Sequence, residues 1–214
     1  MILIKNASIV APDGVIDGDL LVIGETIADI GPNIQVPDTE SNIRIIDAKG
    51  KLILPGGIDV HTHFNLDVGI AVAQDDFYTG TVAAACGGTT TIVDHPGFGP
   101  KGCSLFHQID LYHEYAKDNA VIDYSFHGVL QHLDSEIIEQ IPKLADAGVT
   151  SMKAYMIYDY GFSKEMLGKL LTAAKSSDVL IAVHAEDDKM VNTLRAQYVS
   201  EGKTAPIYHA LSRP

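Results

Sequence analysis

Along residues 1–54 short apolar runs alternate with turn residues, as in Leu20-Leu21-Val22-Ile23 and Thr26-Ile27-Ala28-Asp29-Ile30 joined through Gly24-Glu25. Such runs, bounded by glycine and polar residues, predict strands, so this stretch is expected to be a small β domain. Pro55-Gly56-Gly57 punctuates the chain, and the rhythm then changes. From residue 55 to 214 apolar strand-like runs alternate with helical patterns, the signature of βα units around a parallel sheet. Strands are predicted at 58–63, 89–95, 121–128, 151–156 and 179–186. Between them, residues 75–86 read as a helix with Asp75 as N-cap and Gly87 ending it. Leu105, Ile109, Tyr112 and Ala116 give the second helix its apolar stripe. Ser135 is expected to cap the third, whose Ile137, Ile138, Ile141 and Leu144 should face the core and which Pro142 can kink. Leu167, Leu170, Leu171 and Ala174 after Ser163 predict a fourth, and Met190, Val191, Leu194 and Tyr198 before Gly202 a fifth.

Five such units fit either an open sheet or most of a barrel, and periodicity does not choose between them. The polar residues do. His61, His63, His95, His127, Lys153 and His184 all fall near strand ends, and barrels collect reactive side chains at the C-terminal ends of successive strands. The expected class is therefore α/β, a (β/α)8 TIM-type barrel of which the first five βα units are present, with domains at 1–54 and 55–214.

Composition narrows the partners. A chain of 214 residues, 46% apolar, can bury a substantial core. A net charge of −13 argues against nucleic acid or an anionic membrane surface, both of which need clustered Lys and Arg. A neutral small molecule fits better. The first ten residues are interrupted by Lys5 and Asn6 and lack a signal-peptide core, and no run approaches the roughly 20 apolar residues of a membrane span. Cys86 and Cys103 have no CxxC partner and read as reduced thiols in a cytoplasmic protein.

Strand alternation puts Asp59, His61 and His63 on one face and Ile58, Val60 and Thr62 on the other. A lone histidine there would be an ordinary satisfied core residue. Two imidazoles projecting together suit the gripping of a Zn²⁺-type ion. Lys153 stands on an apolar strand, where an unpartnered ammonium is costly to bury. It reads equally as a nucleophile of shifted pKa, as a lysine carbamylated by CO₂ into a metal-bridging anion, or as a salt-bridged or snorkelling side chain. His184 shares a strand face with Ala182 and Glu186 and is either structural or a ligand for a second metal.

The run Pro55-Gly56-Gly57-Ile58-Asp59-Val60-His61-Thr62-His63 resembles the opening strand of the amidohydrolase superfamily. Ser151-Met152-Lys153-Ala154-Tyr155-Met156-Ile157-Tyr158 and Val183-His184-Ala185-Glu186 resemble its dihydropyrimidinase and D-hydantoinase branch. Asp76-Phe77-Tyr78-Thr79-Gly80-Thr81, Cys86-Gly87-Gly88-Thr89-Thr90-Thr91 and Tyr208-His209-Ala210-Leu211-Ser212-Arg213-Pro214 are similar to phenylhydantoinases in particular. The likeness covers the whole chain. It implies two Zn²⁺ ions, one held by His61 and His63, the other by His184, with carbamylated Lys153 bridging both. It also implies that Tyr158 reaches the substrate and steadies an oxyanion, in metal-assisted opening of a cyclic ureide such as a 5-substituted hydantoin or a dihydropyrimidine to an N-carbamoyl product. Phe64 and Leu66 fall where the family places a loop near the substrate side chain and are expected to shape an apolar pocket. His95 and His127 are expected to be structural or to stand behind the ligands.

Family members are roughly twice this length, with an eight-stranded barrel and an N-terminal β-sandwich completed by C-terminal strands. The chain therefore reads as the N-terminal half of such an enzyme, inactive alone, with a homo-oligomer, a tetramer, expected of the full-length protein. Two alternatives remain: a non-catalytic scaffold or binding relative on the same fold, and an allantoinase- or dihydroorotase-type enzyme, which needs a more cationic pocket.

Overall fold

A computed structural model describes residues 1–36 and 42–214. The chain divides into two compact units, Met1–Gly56 and Gly57–Pro214.

In the first unit β1 (Ile2–Ala11), β2 (Gly14–Ile23), β3 (Thr26–Gly31), β4 (Arg44–Asp47) and β5 (Leu52–Ile53) form one mixed sheet. Its order is β3-β2-β1-β4, antiparallel from β1 to β3, with β4 and β5 both running parallel to β1. The turn from β2 to β3 falls at Gly24, whose φ of +61° suits glycine. Ala7, Ile9, Leu20 and Ala48 make a small core. Val15, Ile27, Ile45 and Leu52 are exposed, and among the described residues this unit has no second sheet facing the first.

The second unit alternates strands and helices: β6 (Gly57–Thr62), α1 (Phe77–Cys86), β7 (Thr89–Asp94), α2 (Leu105–Ala116), β8 (Asp123–Phe126), β9 (Gly128–Val129), α3 (Ser135–Asp146), β10 (Ser151–Tyr155), α4 (Lys164–Ser176), β11 (Leu180–His184), α5 (Asp188–Ser200) and α6 (Ile207–Leu211). All strand pairings are parallel, in the orders β6-β7-β8 and β9-β10-β11. The run expected as one strand at 121–128 is thus two short strands, one on each side of His127. Its N–H bonds the Asp94 carbonyl at 2.8 Å, and Leu130 N–H bonds the Lys153 carbonyl at 3.0 Å, so the chain changes partner there without leaving the arc.

Helix stripes bury one side of this arc. Leu105, Ile109, Tyr112 and Ala116 from α2, Ile137, Ile141 and Leu144 from α3, and Leu170 and Ala174 from α4 join Ile92, Phe126, Met152 and Ala154 in one core. Ile138 and Leu171, expected inside, are partly exposed at the edges of their stripes. Two caps differ from expectation by one residue. Asp76 caps α1, accepting Thr79 N–H at 2.7 Å while Thr79 Oγ1 accepts from Asp76 N–H, and Asp134 caps α3 by accepting Ile137 N–H at 2.9 Å. In each case an aspartate with extended backbone reaches the N3 amide, so it outcompetes its neighbour. The helix α3 continues through Pro142. At the two ends of the arc Ile58 (64%), Val60 (57%) and Leu180 (70%) are exposed, apolar residues on edge strands.

Candidate metal and substrate site

Parallel packing brings the ends of β6, β7, β8 and β10 together, and with them the polar residues. The imidazoles of His61 and His63 lie 5.3 Å apart between ring centroids. His95, just past β7, sits 4.4 Å from His61 and 5.4 Å from His63, and stacks on His127 at 4.0 Å. His63 Nδ1 faces the His95 carbonyl at 3.2 Å, so that nitrogen carries the proton and Nε2 keeps its lone pair. His127 is spent at both nitrogens: Nε2–H donates to the Val60 carbonyl at 2.9 Å, and Nδ1 accepts from Ser151 Oγ at 2.6 Å. It ties β6 to β10.

Behind the histidines, Asp94 is fully buried. Its Oδ1 accepts from Thr62 Oγ1 at 2.6 Å and from Phe64 N–H at 3.0 Å. Burial pushes its carboxyl up to about 6, against the pull of those two bonds.

Charge decides what the imidazoles can do. Burial, then the nearby His127, His61, His63 and Lys153, push His95 down to about 3. Burial lowers His63 as well, reinforced by His61 and Lys153 and opposed by the His95 carbonyl. His127 is lowered by burial, then by His61 and Lys153, against its bond to Val60. Crowding and burial thus keep these rings neutral, the form that ligates metal.

A second group adjoins the first through β10. Lys153 and Tyr155 share a face of that strand, with Nζ 5.5 Å from the ring centroid. Tyr155 is the register partner of His184 on β11, and their rings stack at 5.9 Å. His184 Nε2 bonds Glu186 Oε1 at 3.0 Å, and Glu186 in turn pairs with Arg213 at 3.3 Å. Tyr158 lies 6.0 Å from the His184 ring and is half exposed, its backbone at φ +71°. Asp188 Oδ1 accepts its N–H at 3.4 Å, and Gly161 N–H bonds its carbonyl at 3.0 Å. A tyrosine in the left-handed region is held there by its surroundings.

Residues 52–211 match the amidohydrolase family. The chain belongs to that family. It is 50% identical over 215 aligned residues to a D-phenylhydantoinase of Escherichia coli O9:H4 (strain HS), covering all of this chain and 46% of that protein. Among solved structures it resembles a D-hydantoinase and the dihydropyrimidinase from Brevibacillus agri NCHU1002, each at 40% identity and a TM-score of 0.92. Each match covers 99% of this chain and 46% of the other. The chain therefore spans about half the length of the relatives it matches.

Amidohydrolases of the hydantoinase type are generally metal-dependent, and the residues here fit a metal. His63 presents a free nitrogen, and His95 Nδ1 is buried without a partner among the described residues. No three His, Cys, Asp or Glu side chains among the described residues form a complete ion site by themselves. Phe64 packs edge-on against Phe77 at 5.6 Å, its ring over Gly80, rather than among the imidazoles. Leu66 lies beside Gly97. Sequence reasoning singled out neither Asp94 nor the bonding roles of Glu186 and Arg213. The available signal for Asp94 was its place two residues after Ile92 on a strand, where alternation puts an ionisable group on a core-facing side. No helix of the described residues is long and apolar enough to cross a membrane.

Proposed function

We propose that this chain carries most of the metal site of a zinc-dependent cyclic-amide hydrolase, one that opens 5-substituted hydantoins or dihydropyrimidines to N-carbamoyl products. In this reading His61 and His63 would hold one ion and His184 the other, and Lys153, after adding CO₂ at Nζ and losing a proton, would offer its new carboxylate to both. The supporting observation is the convergence of His61 and His63 beside Lys153, with burial holding the His63 ring below its ordinary pKa. When bound, the metal pair supplies a nucleophile from water at neutral pH and polarises the scissile carbonyl. His63 is oriented by donating Nδ1–H to the His95 carbonyl, and His184 by Glu186, the outer contacts that fix a ligating imidazole. Tyr158 would donate its phenolic O–H to the oxygen that gains charge as the ring opens. Leu66 and Phe64 would set the loop that meets the substrate's apolar substituent.

The relatives' length extends the proposal. A closed eight-stranded barrel and a two-layered sandwich would be completed by sequence beyond these residues, and the 214-residue chain alone would not turn over. Free Cys86 and Cys103 suit a reducing cytoplasm.

Metal analysis and native mass spectrometry test this reading. Stoichiometric zinc and a mass increment of one CO₂ that disappears in Lys153→Ala are expected. Purification free of metal, with no zinc uptake on titration, would favour a binding scaffold instead. Zinc-dependent ring opening by the 214-residue chain would overturn its inactivity.

A further inference from the structure

We infer that Asp94 is a positioning residue for the His61–His63 pair, gripping β6 from behind; the inference rests on the metal reading above. Regular strand pairing does not fix these histidines. The ladder between β6 and β7 is irregular between Asp59 and Thr62, and β6 ends at Thr62, one residue before His63. Just beyond, Asn65 turns the chain at φ +50°. Two imidazoles that must present nitrogens to one ion therefore stand on a stretch the sheet holds loosely.

Asp94 makes up the deficit. Thr62 is its register partner, and alternation puts the Thr62 side chain on the face opposite the two histidines. One carboxylate oxygen, Oδ1, takes both the Thr62 hydroxyl at 2.6 Å and the Phe64 amide at 3.0 Å, donors that lie on either side of His63. The Thr62 carbonyl accepts from His95 N–H at 2.9 Å, so residue 62 is held at backbone and side chain together. Asp94 touches no ligand itself; it sets the backbone from which the ligands project.

Its setting is not that of a group serving stability alone. The carboxyl is wholly buried, and among the described residues no cation pairs with it and Oδ2 has no partner. A buried acid so placed is costly. What it supplies that an apolar residue would not is one acceptor shared by two donors that straddle His63.

The test compares Zn²⁺ affinity of the metal-free 214-residue chain with that of its variants, by competition against a chromophoric chelator. Asp94→Ala and Thr62→Val should each bind roughly 10- to 100-fold more weakly, the range for loss of an outer contact at a metal site. Asp94→Asn keeps an acceptor at Oδ1 and should restore most of the affinity. Thermal unfolding without metal is measured alongside, since a purely structural Asp94 would lower the melting temperature and leave the affinity of the folded chain unchanged. Should Asp94→Ala fail to fold, Thr62→Val, close in shape, decides. Parent-like affinity in folded Asp94→Ala or Thr62→Val overturns the inference alone. No Zn²⁺ binding by the parent, or binding indifferent to His61→Ala and His63→Ala, overturns the metal reading and the inference with it.

Discussion

Gly80 offers a sharp test of how the site-bearing loop is packed, because two physical effects there have opposite signs. It lies inside α1, where replacing glycine by alanine ordinarily stabilises a helix by about 1 kcal/mol. Here a Cβ would land 2.1 Å from Phe64 Cε1 and 2.5 Å from both Cδ1 and Cζ. Ordinary carbon contacts need about 3.5–4.0 Å, so the ring must retreat by roughly 1.5 Å. It cannot carry its backbone along, because Phe64 N–H is bonded to buried Asp94. The ring must instead give up its edge-to-face contact with Phe77, centroids 5.6 Å apart at 78°. Losing such a pair costs about 1 kcal/mol and overpacking about 1–3 kcal/mol. Gly80→Ala should therefore destabilise by about 1–3 kcal/mol, whereas in a Phe64→Ala background it should stabilise by about 1 kcal/mol. Urea unfolding followed by circular dichroism, read as midpoint shifts at constant slope, closes the cycle. A stabilising Gly80→Ala with Phe64 in place would refute the packing argument.

Further outcomes follow from the same contacts. The Asp94 carboxyl titrates at about 6 in the folded chain against 3.8 ordinarily, so the folded state holds the extra proton between those values. Its contribution to stability is then fullest below pH 3.8 and falls as pH rises through 6; relative to Asp94→Asn, the metal-free parent should lose about 2–3 kcal/mol between pH 4 and 7. Parallel pH profiles for the two would contradict this. His127→Ala strands the Val60 carbonyl and the Ser151 hydroxyl and should cost about 2–4 kcal/mol by denaturant titration; a loss under about 0.5 kcal/mol, the scale of an ordinary surface change, would mean the tie carries no load. Tyr158→Gly relieves a left-handed backbone while removing a half-exposed ring, so stability should hold or rise by up to about 1 kcal/mol, and a clear loss of stability would show the ring to be structural.

How much could be read along the chain depends on whether the information is periodic. The five β positions of the second unit, the stripe of α2 and the pairing of His61 with His63 on one face all follow from period and alternation, which are local and survive without knowledge of neighbours. Local competition between adjacent cap residues was less legible, and Asp76 and Asp134 took the places expected of Asp75 and Ser135. The break of one strand at His127 arises because this side chain must reach Val60 and Ser151 on two other strands, a demand no local pattern carries.

For the candidate site the division is the same. Residue type and spacing alone marked His61, His63, Lys153 and His184, because a paired imidazole or a lysine on an apolar strand is chemically unusual wherever it occurs. Only the tertiary structure decided which groups neighbour them. It put His95 against His61, Tyr155 against His184, and Asp94 beneath Thr62 across 32 residues of sequence. It also decided that Phe64 packs into the core beside Phe77. Parallel strands bring together residues one βα unit apart, and the side chains that meet there are set by register, which the intervening helix must first close.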